Sequence, residues 1–398
     1  MLQLKTMNEN ISEILNEFKA AKLNFEIKAE NDVLLPNYKG STFRGVFGHI
    51  FKDVMCISYE SVCETCSFDT VCMFKKIFDS PPPSNSSRLK NYSAVPHPYI
   101  IEAPLETKNF YKKNEIIKFS LILIGQAIFL FPYFAYSFGL AGRKGIGKMR
   151  RGKFMLFNII NDKDNEKLYN YKREELISPS NYYTINNFVE NTVNTSNSIN
   201  DENKLKKNKD INLKNGYFSV SLNFITPTRI VFNEKLTSNL EFHIFIRNIL
   251  RRISNLNFFH CTKEYNKNKN NDNDNSINNG DNISINNDIS NYNIEGYKNN
   301  NNKMDGNING GIINNDINFN YYIEKAYSVT AKNNLKWCSV DRYSNKQKKH
   351  MKLSGFIGEV LFENVPSEFL WVIKLVELIH IGKNTTFGNG KYKILSII

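Results

Sequence analysis

The feature that most limits how this sequence can fold is a glycine-rich loop that occurs twice, each time between a helix and a strand. In the first half, an apolar helix candidate ending near Leu140 precedes the run GRKGIGK and a strand candidate over residues 153–160. In the second half, a helix candidate over residues 366–380 precedes the run GKNTTFGNGK and a strand candidate over residues 392–398. Internal similarity of this kind indicates a structural unit that is present in two copies. We therefore expect two related domains.

The starts of the two halves also correspond. The strand-like run LNFEIKAEN precedes a helix candidate over residues 41–55, and the run YFSVSLNFIT precedes a helix candidate over residues 240–256. Each half is thus predicted to run strand, helix, two or more strands, helix, strand. This order favours helices on one face of an antiparallel sheet. The predicted fold is α+β, with two tandem ferredoxin-like (RRM-like) domains.

The chain length of 398 residues suits two domains with additional insertions. We expect the N-terminal domain over residues 1–190, a linker over residues 191–214 and the C-terminal domain over residues 215–398. The segment 266–320 is rich in Asn and poor in apolar residues. Such a segment cannot bury enough apolar surface to offset the entropy cost of ordering, so we predict a disordered low-complexity insertion.

The excess of basic residues indicates a polyanionic partner. Lys and Arg number 52 against 39 Asp and Glu, which gives a formal net charge of +13. A basic surface suits either nucleic acid or an anionic membrane.

Residues 119–142 are nearly uncharged and long enough to span a membrane. We interpret them instead as a strand up to Ile124 and a buried helix bent at Pro132, with a membrane span as the less favoured alternative.

The location expected for this protein is the cytoplasm. The first residues lack the basic region, apolar core and cleavage site of a secretory signal. Six Cys in a chain of this length do not form a disulfide scaffold, and a reducing compartment fits them best.

The first glycine loop, residues 139–153, is a candidate anion-binding site because it places five Gly among six cations. Glycine lets the backbone approach a phosphate closely, and the cations attract it. The run GRKGIGK matches part of a nucleotide-binding P-loop, but Met149 stands where Ser or Thr must hold magnesium. The candidate RNA-binding cations are Arg143, Lys144, Lys148, Arg150 and Arg151, and Lys153 is the sixth cation of the loop.

The second glycine loop, residues 382–390, combines Gly with Lys, Thr and Phe. Lysine and threonine can contact phosphates, and an aromatic ring can stack on an unpaired base. The candidate residues are Lys383, Thr385, Phe387, Gly388, Gly390 and Lys391. Arg247 and Arg251 lie four residues apart on a helix candidate and are further candidates for phosphate contact, although a solvated basic face is the alternative.

The four closely spaced cysteines predict a metal site. Cys56, Cys63, Cys66 and Cys72 are separated by six, two and five residues within the expected insertion 56–72. Four thiolates complete a tetrahedral site with no open position for water, which is typical of structural zinc. An iron–sulfur cluster and a set of reduced thiols are the alternatives.

His49 is the first candidate for acid–base chemistry. It lies on the first helix candidate with Lys52 three residues on, and a His near the operating pH can transfer protons without a metal. Arg44 on the same helix is a candidate for holding the substrate. The alternative is a surface or core histidine without a chemical role. The next candidates are His380 and His243. The sequence has no motif of a metalloprotease or a serine hydrolase.

These residues together resemble the CRISPR-associated endoribonucleases that process precursor guide RNA, within the repeat-associated RAMP superfamily. The resemblance rests on LPNYKGSTFRGVFGHIFK (residues 35–52), the cysteine cluster, both glycine loops, LNFITPTRI and WCSVDRYSNKQ. It implies a tandem ferredoxin-like fold that binds CRISPR repeat RNA. It also implies cleavage without metal, in which a ribose 2′-hydroxyl attacks the adjacent phosphate and leaves a 2′,3′-cyclic phosphate and a 5′-hydroxyl.

The resemblance also assigns roles to particular residues. It implies that His49 is catalytic, that Lys52 is its electrostatic partner and that Tyr38 is an acid or a positioning group. No cofactor is expected for catalysis, and the expected partners are CRISPR repeat RNA and subunits of a CRISPR effector complex, with no membrane. The alternative function is that of a non-catalytic RNA-binding subunit of such a complex.

Overall fold

The structure is a computed structural model. It describes residues 15–58, 63–68, 72–79, 81–82, 86, 88–89, 92–173, 175–189, 216–262, 319–344 and 349–398. The expected linker over residues 191–214 lies outside the described residues. So does the expected insertion 266–320, except for its last two residues, which begin a helix.

The first domain contains two long helices and a mainly antiparallel sheet. In chain order its elements are β1 (Lys19–Ala29), β2 (Val33–Leu34), α1 (Gly40–Met55), β3 (Tyr99–Glu102), β4 (Phe110–Tyr111), β5 (Ile116–Ile124), α2 (Phe131–Lys144), β6 (Phe154–Asn161), β7 (Lys167–Asn170), β8 (Glu175–Leu176) and β9 (Tyr183–Thr184). The strand order is β3-β5-β1-β6-β7-β8, with β9 paired to β1 and β2 paired to β4. Strands β3, β5, β1 and β6 with α1 and α2 form a ferredoxin-like unit.

The second domain repeats this arrangement. Its elements are β10 (Tyr217–Thr228), β11 (Val231–Phe232), β12 (Lys235–Leu236), α3 (Phe242–His260), α4 (Phe319–Ala326), β13 (Thr330–Cys338), β14 (Asp341–Ser344), β15 (Lys349–Lys352), β16 (Gly355–Pro366), α5 (Leu370–Ile379) and β17 (Tyr392–Ile397). The main sheet has the order β13-β16-β10-β17, the same as β3-β5-β1-β6, and all of its pairs are antiparallel. The predicted tandem ferredoxin-like fold is confirmed.

The core of the first domain lies between its sheet and helices α1 and α2. Alternate residues of β1 are buried, because successive side chains of a strand point to opposite faces. Phe47 of α1 is fully buried, and its ring stacks on Phe134 and Phe138 of α2 with centroids 5.0 and 5.1 Å apart. Aromatic pairs of this geometry add to the stabilisation from burial alone. The abundant Phe of the sequence thus fixes the two helices to one face of the sheet.

Residues 119–142 divide into a strand and a helix, as predicted, but the expected bend at Pro132 is wrong. Strand β5 ends at Ile124, a 3₁₀ turn covers Gly125–Leu130, and α2 begins at Phe131. Pro132 therefore lies in the first helical turn, where its missing N–H would have no partner and its fixed φ suits the helix. Among the described residues, none of the helices combines the length and the apolar composition that a membrane span requires.

The two domains share a hydrophobic core. Ile100, Ile122 and Ile124 on the first sheet belong to one cluster of buried residues with the apolar side chains of α3 and α5. The contact is close at Gly125, which has φ +57° and where an added Cβ would lie 2.0 Å from the carbonyl oxygen of His260. The imidazole Nε2 of His260 lies 2.7 Å from the carbonyl oxygen of Pro96. This packing fixes the end of α3 against the first domain.

Candidate functional site at the domain interface

The second glycine loop is buried between the domains. Phe387 is 7% exposed, and the Cβ that would be added at Gly388, where φ is +80°, would lie 2.8 Å from the carbonyl oxygen of Ile101. A Cβ at Gly40, the first residue of α1, would lie 2.2 Å from the carbonyl oxygen of Phe387. Side chains at these glycines would separate the backbones. The loop therefore joins β3 and the start of α1 to the second domain.

Most of the residues that we predicted to contact RNA in this loop are engaged in that packing. Thr385, Phe387, Gly388 and Gly390 are buried, whereas Lys383 is exposed. An added Cβ at Gly390 would lie 1.7 Å from the carbonyl oxygen of Ile381. A role in contacting RNA stays a prediction for each of them.

Beside the loop, a buried carboxylate links the domains. Glu102 of β3 accepts a hydrogen bond from His380 Nε2 at 2.8 Å and forms ion pairs with Lys391 at 2.8 Å and Lys22 at 3.5 Å. Burial alone would raise the pKa of Glu102, but the hydrogen bond from His380 and the charges of both lysines hold it well below its usual range. A carboxylate with three cationic or N–H partners stays ionised in this position.

Each ring nitrogen of His380 lies within hydrogen-bond distance of an oxygen of the protein. Its Nδ1 lies 3.0 Å from the carbonyl oxygen of Asn389, and Nε2 bonds to Glu102 as described. The side chain is fully buried, and burial lowers the pKa of the imidazole while Glu102 opposes the shift. His380 thus connects the loop to β3 and does not reach the protein surface.

Tyr38 joins the start of α1 to the same loop. Its hydroxyl donates to the side-chain oxygen of Asn389 and lies 3.1 Å from the carbonyl oxygen of Phe387. The Asn389 amide nitrogen donates in turn to the carbonyl oxygen of Leu353 at 3.0 Å. Burial raises the pKa of Tyr38 well above its ordinary value, so the hydroxyl remains protonated at neutral pH.

Two arginines flank Phe387. The guanidinium carbon of Arg44 on α1 lies 5.1 Å from the centroid of the Phe387 ring, and that of Arg342 on β14 lies 4.6 Å from it. Arg44 also lies 3.9 Å from the ring centroid of Phe78. We call Arg44, Phe387 and Arg342 the arginine–phenylalanine cluster. It contains one residue that was predicted to hold substrate, Arg44, and one that the sequence analysis missed, Arg342.

The cluster has cationic groups without anionic partners. In the part of the chain that the structure describes, neither arginine forms an ion pair, and the Nε atoms of both are buried without a hydrogen-bond partner. Burial lowers the pKa of Arg342, and the charge of Arg44 adds to the shift. Two guanidiniums held close together in a half-buried position are suited to bind a phosphate. Each guanidinium can donate two parallel hydrogen bonds to the phosphate oxygens.

The first glycine loop carries exposed cations, and several of its backbone amides are already hydrogen-bonded within the protein. Gly145 N–H donates to Ala141 O at 2.8 Å, and Ile146 and Gly152 exchange hydrogen bonds at 2.7 and 3.1 Å. These amides are therefore not free to cradle a phosphate. All six cations predicted in this loop are exposed: Arg143, Lys144, Lys148, Arg150, Arg151 and Lys153.

The other two residues predicted to be catalytic, His49 and Lys52, lie on α1. His49 is exposed on α1, and among the described residues it has no hydrogen bond, ion pair or ring contact. Lys52 lines the cavity of the cysteine cluster. Asp53, which follows on the same helix, pairs with Lys144 at 2.8 Å. Of the three residues predicted to be catalytic, only Tyr38 lies at the arginine–phenylalanine cluster.

The two predicted phosphate contacts on α3 lie at its surface side. An Arg247 guanidinium nitrogen donates to the Tyr327 hydroxyl at 3.4 Å, and Arg251 donates to the Asn248 side-chain oxygen at 3.3 Å. His243, an alternative catalytic candidate, is buried and stacks on Tyr327 with centroids 4.3 Å apart. Their role in RNA binding stays a prediction.

The four cysteines line one small cavity. It has a volume of about 20 Å³, and its walls include Cys56, Cys63, Cys66 and Cys72. All four are free thiols, and Cys56 Sγ donates to the carbonyl oxygen of Ser58 at 2.6 Å. No three Cys, His, Asp or Glu side chains among the described residues are grouped closely enough to hold a metal ion. Four thiols are chemically suited to bind zinc, but in the structure they are not close enough together to form a metal site. Zinc binding therefore stays a prediction from the spacing of the cysteines.

Comparisons with known families match both domains. The model of a family described as CRISPR-associated endoribonuclease Cas6 matches residues 222–392. The model of a family described as an N-terminal domain matches residues 18–181. No curated protein matches the sequence.

Several solved structures match along almost the whole chain. A partial Cas6-RT-Cas1–Cas2 complex has 11% sequence identity and a TM-score of 0.49, and the match covers 95% of this chain and 46% of that chain. A Cas6 product complex has 11% identity and a TM-score of 0.46, with 95% and 99% covered. Cas6 of Thermus thermophilus has 11% identity and a TM-score of 0.44, with 95% and 99% covered. This chain therefore spans about half of the first structure and nearly all of the other two.

Proposed function

We propose that this chain, which belongs to the CRISPR-associated endoribonuclease family Cas6, binds CRISPR repeat RNA at the domain interface and cleaves precursor guide RNA there. The observation that carries the proposal is the arginine–phenylalanine cluster, in which two guanidiniums without ion pairs flank an aromatic ring. A phosphodiester supplies the negative charge that these guanidiniums lack. The unpaired bases of a repeat supply surfaces that stack on the planes of the two guanidiniums.

The geometry of the cluster favours recognition of the RNA backbone. Arg44 and Arg342 come from different domains, so a phosphate bound by both guanidiniums contacts both halves of the protein. Tyr38 and Asn389 hold the loop that carries Phe387 in place. Because these part-buried hydrogen bonds form within the folded protein, Phe387 is positioned before RNA binds, which reduces the entropy cost of binding.

The proposed reaction needs no metal ion. A ribose 2′-oxygen attacks the adjacent phosphorus, His49 accepts the 2′-hydroxyl proton, and the bond from phosphorus to the 5′-oxygen breaks. The leaving 5′-oxygen takes up a proton from water, so the products are a 2′,3′-cyclic phosphate and a 5′-hydroxyl. Cations near the phosphorus stabilise the extra negative charge of the pentacoordinate transition state. His49 lies five residues beyond Arg44 on α1, about 7.5 Å along the helix axis.

The exposed cations of the first glycine loop extend the proposed RNA path. They lie on the first domain at the end of α2, and Lys383 is exposed on the second domain. Contacts of this kind position a nucleic acid without reading its sequence. We propose repeat RNA as the partner, with subunits of a CRISPR effector complex receiving the cleaved product, and the cytoplasm as the place where this occurs.

The experiment uses labelled repeat RNA and the full chain in EDTA. Wild type is expected to cut at one position and to leave a cyclic phosphate. Arg342→Ala is expected to bind at least about 10-fold more weakly, since a hydrogen bond to a charged group contributes about 1.5–3 kcal/mol. His49→Ala is expected to bind normally and to cut at least about 100-fold more slowly, because general acid–base catalysis contributes about 10²–10⁴-fold.

A matched control removes one exposed arginine that lies outside the site. Arg173→Ala changes the net charge by the same amount and is expected to bind and cut like wild type. If Arg342→Ala and Arg173→Ala bind equally well, the cluster is not the RNA site. If wild type requires a divalent cation, the metal-free mechanism is wrong.

The alternative function, a non-catalytic RNA-binding subunit, is favoured by one observation. His49 has no acid or base partner among the described residues. Binding without any cleavage by wild type would establish this alternative, and equal cleavage by wild type and His49→Ala would place the catalytic group elsewhere.

A further inference from the structure

Helix α2 has aromatic residues on two sides, and only one side serves the core. Phe131, Phe134 and Phe138 are buried against the sheet and α1. On the outer side, Phe129 is 76% exposed, Tyr133 is 43% exposed and Tyr136 is 55% exposed. We call these three residues the α2 aromatic face. In the described part of the chain, none of the three rings packs against another aromatic ring.

The three rings are neighbours on one surface. Tyr133 and Tyr136 are three residues apart on the helix, and residues at this spacing have Cβ atoms about 5–6 Å apart. Phe129 lies four residues before Tyr133, in the 3₁₀ turn Gly125–Leu130 that leads into the helix. The core of the domain is complete without these rings, so folding does not account for a row of exposed aromatic side chains.

The charge around the α2 aromatic face favours a polyanion. Residues 125–154 contain six Lys and Arg and no Asp or Glu. Arg143 lies seven residues beyond Tyr136, two turns further along the same side of the helix. Lys144 alone of these six cations pairs with a described carboxylate, that of Asp53. The exposed aromatic rings of α2 are therefore followed, along the same side of the helix, by exposed cations.

We propose that the α2 aromatic face stacks the bases of an unpaired segment of the bound RNA, while the first glycine loop contacts its phosphates. Aromatic rings next to a basic groove are the usual means of holding single-stranded nucleic acid, because every base has a face on which a ring can stack. Two of the three residues are tyrosines, whose hydroxyls can also bond to base edges or ribose. This inference rests on the proposed function and identifies which part of the RNA is bound at this surface.

The test compares single-stranded and double-stranded RNA of the same sequence. A variant carrying Tyr133→Ala and Tyr136→Ala is expected to bind single-stranded repeat RNA at least about 10-fold more weakly than wild type, since each stacked base contributes about 5- to 150-fold. Its affinity for the same RNA annealed to its complement is expected to change less than about 2-fold, because paired bases do not expose their faces. Both residues are exposed, and the fold is expected to stay intact, which circular dichroism checks.

Two controls separate stacking from other effects. A variant carrying Tyr133→Phe and Tyr136→Phe keeps both rings and is expected to retain single-stranded affinity within about 3-fold, since only the hydroxyl bonds are lost. Tyr217→Ala removes a ring that is 50% exposed at the start of β10 and is expected to leave RNA binding unchanged.

The outcomes distinguish this inference from the proposed function. If wild type binds and cuts repeat RNA, and the double alanine variant binds single strands equally well, the α2 aromatic face does not contact RNA and the proposed function stands. If that variant loses self-association or binding to anionic phosphatidylserine vesicles while its RNA affinity is unchanged, the face serves a protein or a membrane and the inference is wrong. If wild type binds neither form of the RNA, both proposals fall.

Discussion

Replacing Glu102 by Gln removes a negative charge from the contact between the domains while keeping the size of the side chain. The carboxylate has three partners, His380, Lys391 and Lys22, which come from both domains. The His380 side chain is fully buried, whereas Lys391 and Lys22 are 17% and 23% exposed. The variant leaves two partly buried ammonium groups without their counterion, and the buried imidazole keeps only an amide oxygen as its acceptor.

The expected loss of unfolding free energy is about 2–3 kcal/mol at pH 7. Breaking a buried ion pair costs about 3–5 kcal/mol, and this site falls below that range because Gln can still accept a bond from His380 and both lysines can reach water. Urea unfolding followed by the fluorescence of Trp371, which is 1% exposed, measures the difference. Glu26→Gln is the matched control on β1, and it is expected to cost about 1 kcal/mol or less because its partner Lys118 is 73% exposed and screened by solvent.

The pH dependence gives a second test of the same reasoning. The pKa of Glu102 is lower in the folded than in the unfolded chain, so its contribution is fully present above the unfolded carboxyl pKa of about 4.3. The contribution is lost progressively as the pH falls from there toward the folded pKa. The difference between wild type and Glu102→Gln is therefore expected to be constant from pH 7 to about 5 and to narrow below about 4. A loss under about 1 kcal/mol at pH 7, or a difference that does not narrow in acid, would refute this account.

Other predictions concern the core, the second glycine loop and the cysteines. Phe47→Ala is expected to cost about 3–5 kcal/mol of unfolding free energy, because the ring stacks on Phe134 and Phe138 at the centre of the first core; a loss under about 1 kcal/mol in urea would contradict this packing. Gly388→Ala is expected to lower the melting temperature, because Gly388 has φ +80° and the new Cβ would lie 2.8 Å from the carbonyl oxygen of Ile101. An unchanged melting curve would show that the interface between the domains adjusts freely. The spacing of the cysteines predicts about one zinc ion per chain, which elemental analysis should detect in wild type and not in a variant carrying Cys63→Ser and Cys66→Ser; metal-free wild type after purification with zinc would exclude the site.

The alternation of strands and helices was predictable from the sequence because it depends on local patterns. Apolar periodicity placed the first helix at residues 41–55, against Gly40–Met55 in the structure. The repeated order of elements then indicated the ferredoxin-like arrangement, since few arrangements place both helices of such a unit on one face of its sheet. The last helix was predicted over residues 366–380, but its first turn is a 3₁₀ segment and the α-helix covers Leu370–Ile379.

The arrangement of the site was less predictable because it depends on contacts between distant residues. Both loops are rich in glycine and contain lysine, yet one presents its cations to solvent and the other is packed between the domains. Sequence alone does not distinguish a glycine that admits a ligand from one that admits a neighbouring backbone, such as Gly388 against Ile101. Arg342 lies on the short strand β14, where no periodic pattern marks it. Its proximity to Arg44 follows only from the contact between the two domains.

The hydrophobic core that Ile100, Ile122 and Ile124 share with α3 and α5 makes the duplicated halves a single cooperative folding unit. Neither half can expose its side of that core to water without losing stability. Cleavage of the chain between residues 190 and 215 is therefore expected to give two fragments that remain associated and that melt together. The spacing between Arg44 and Arg342 is consequently set by a rigid body and not by a hinge, so an RNA must match a fixed distance between the two domains.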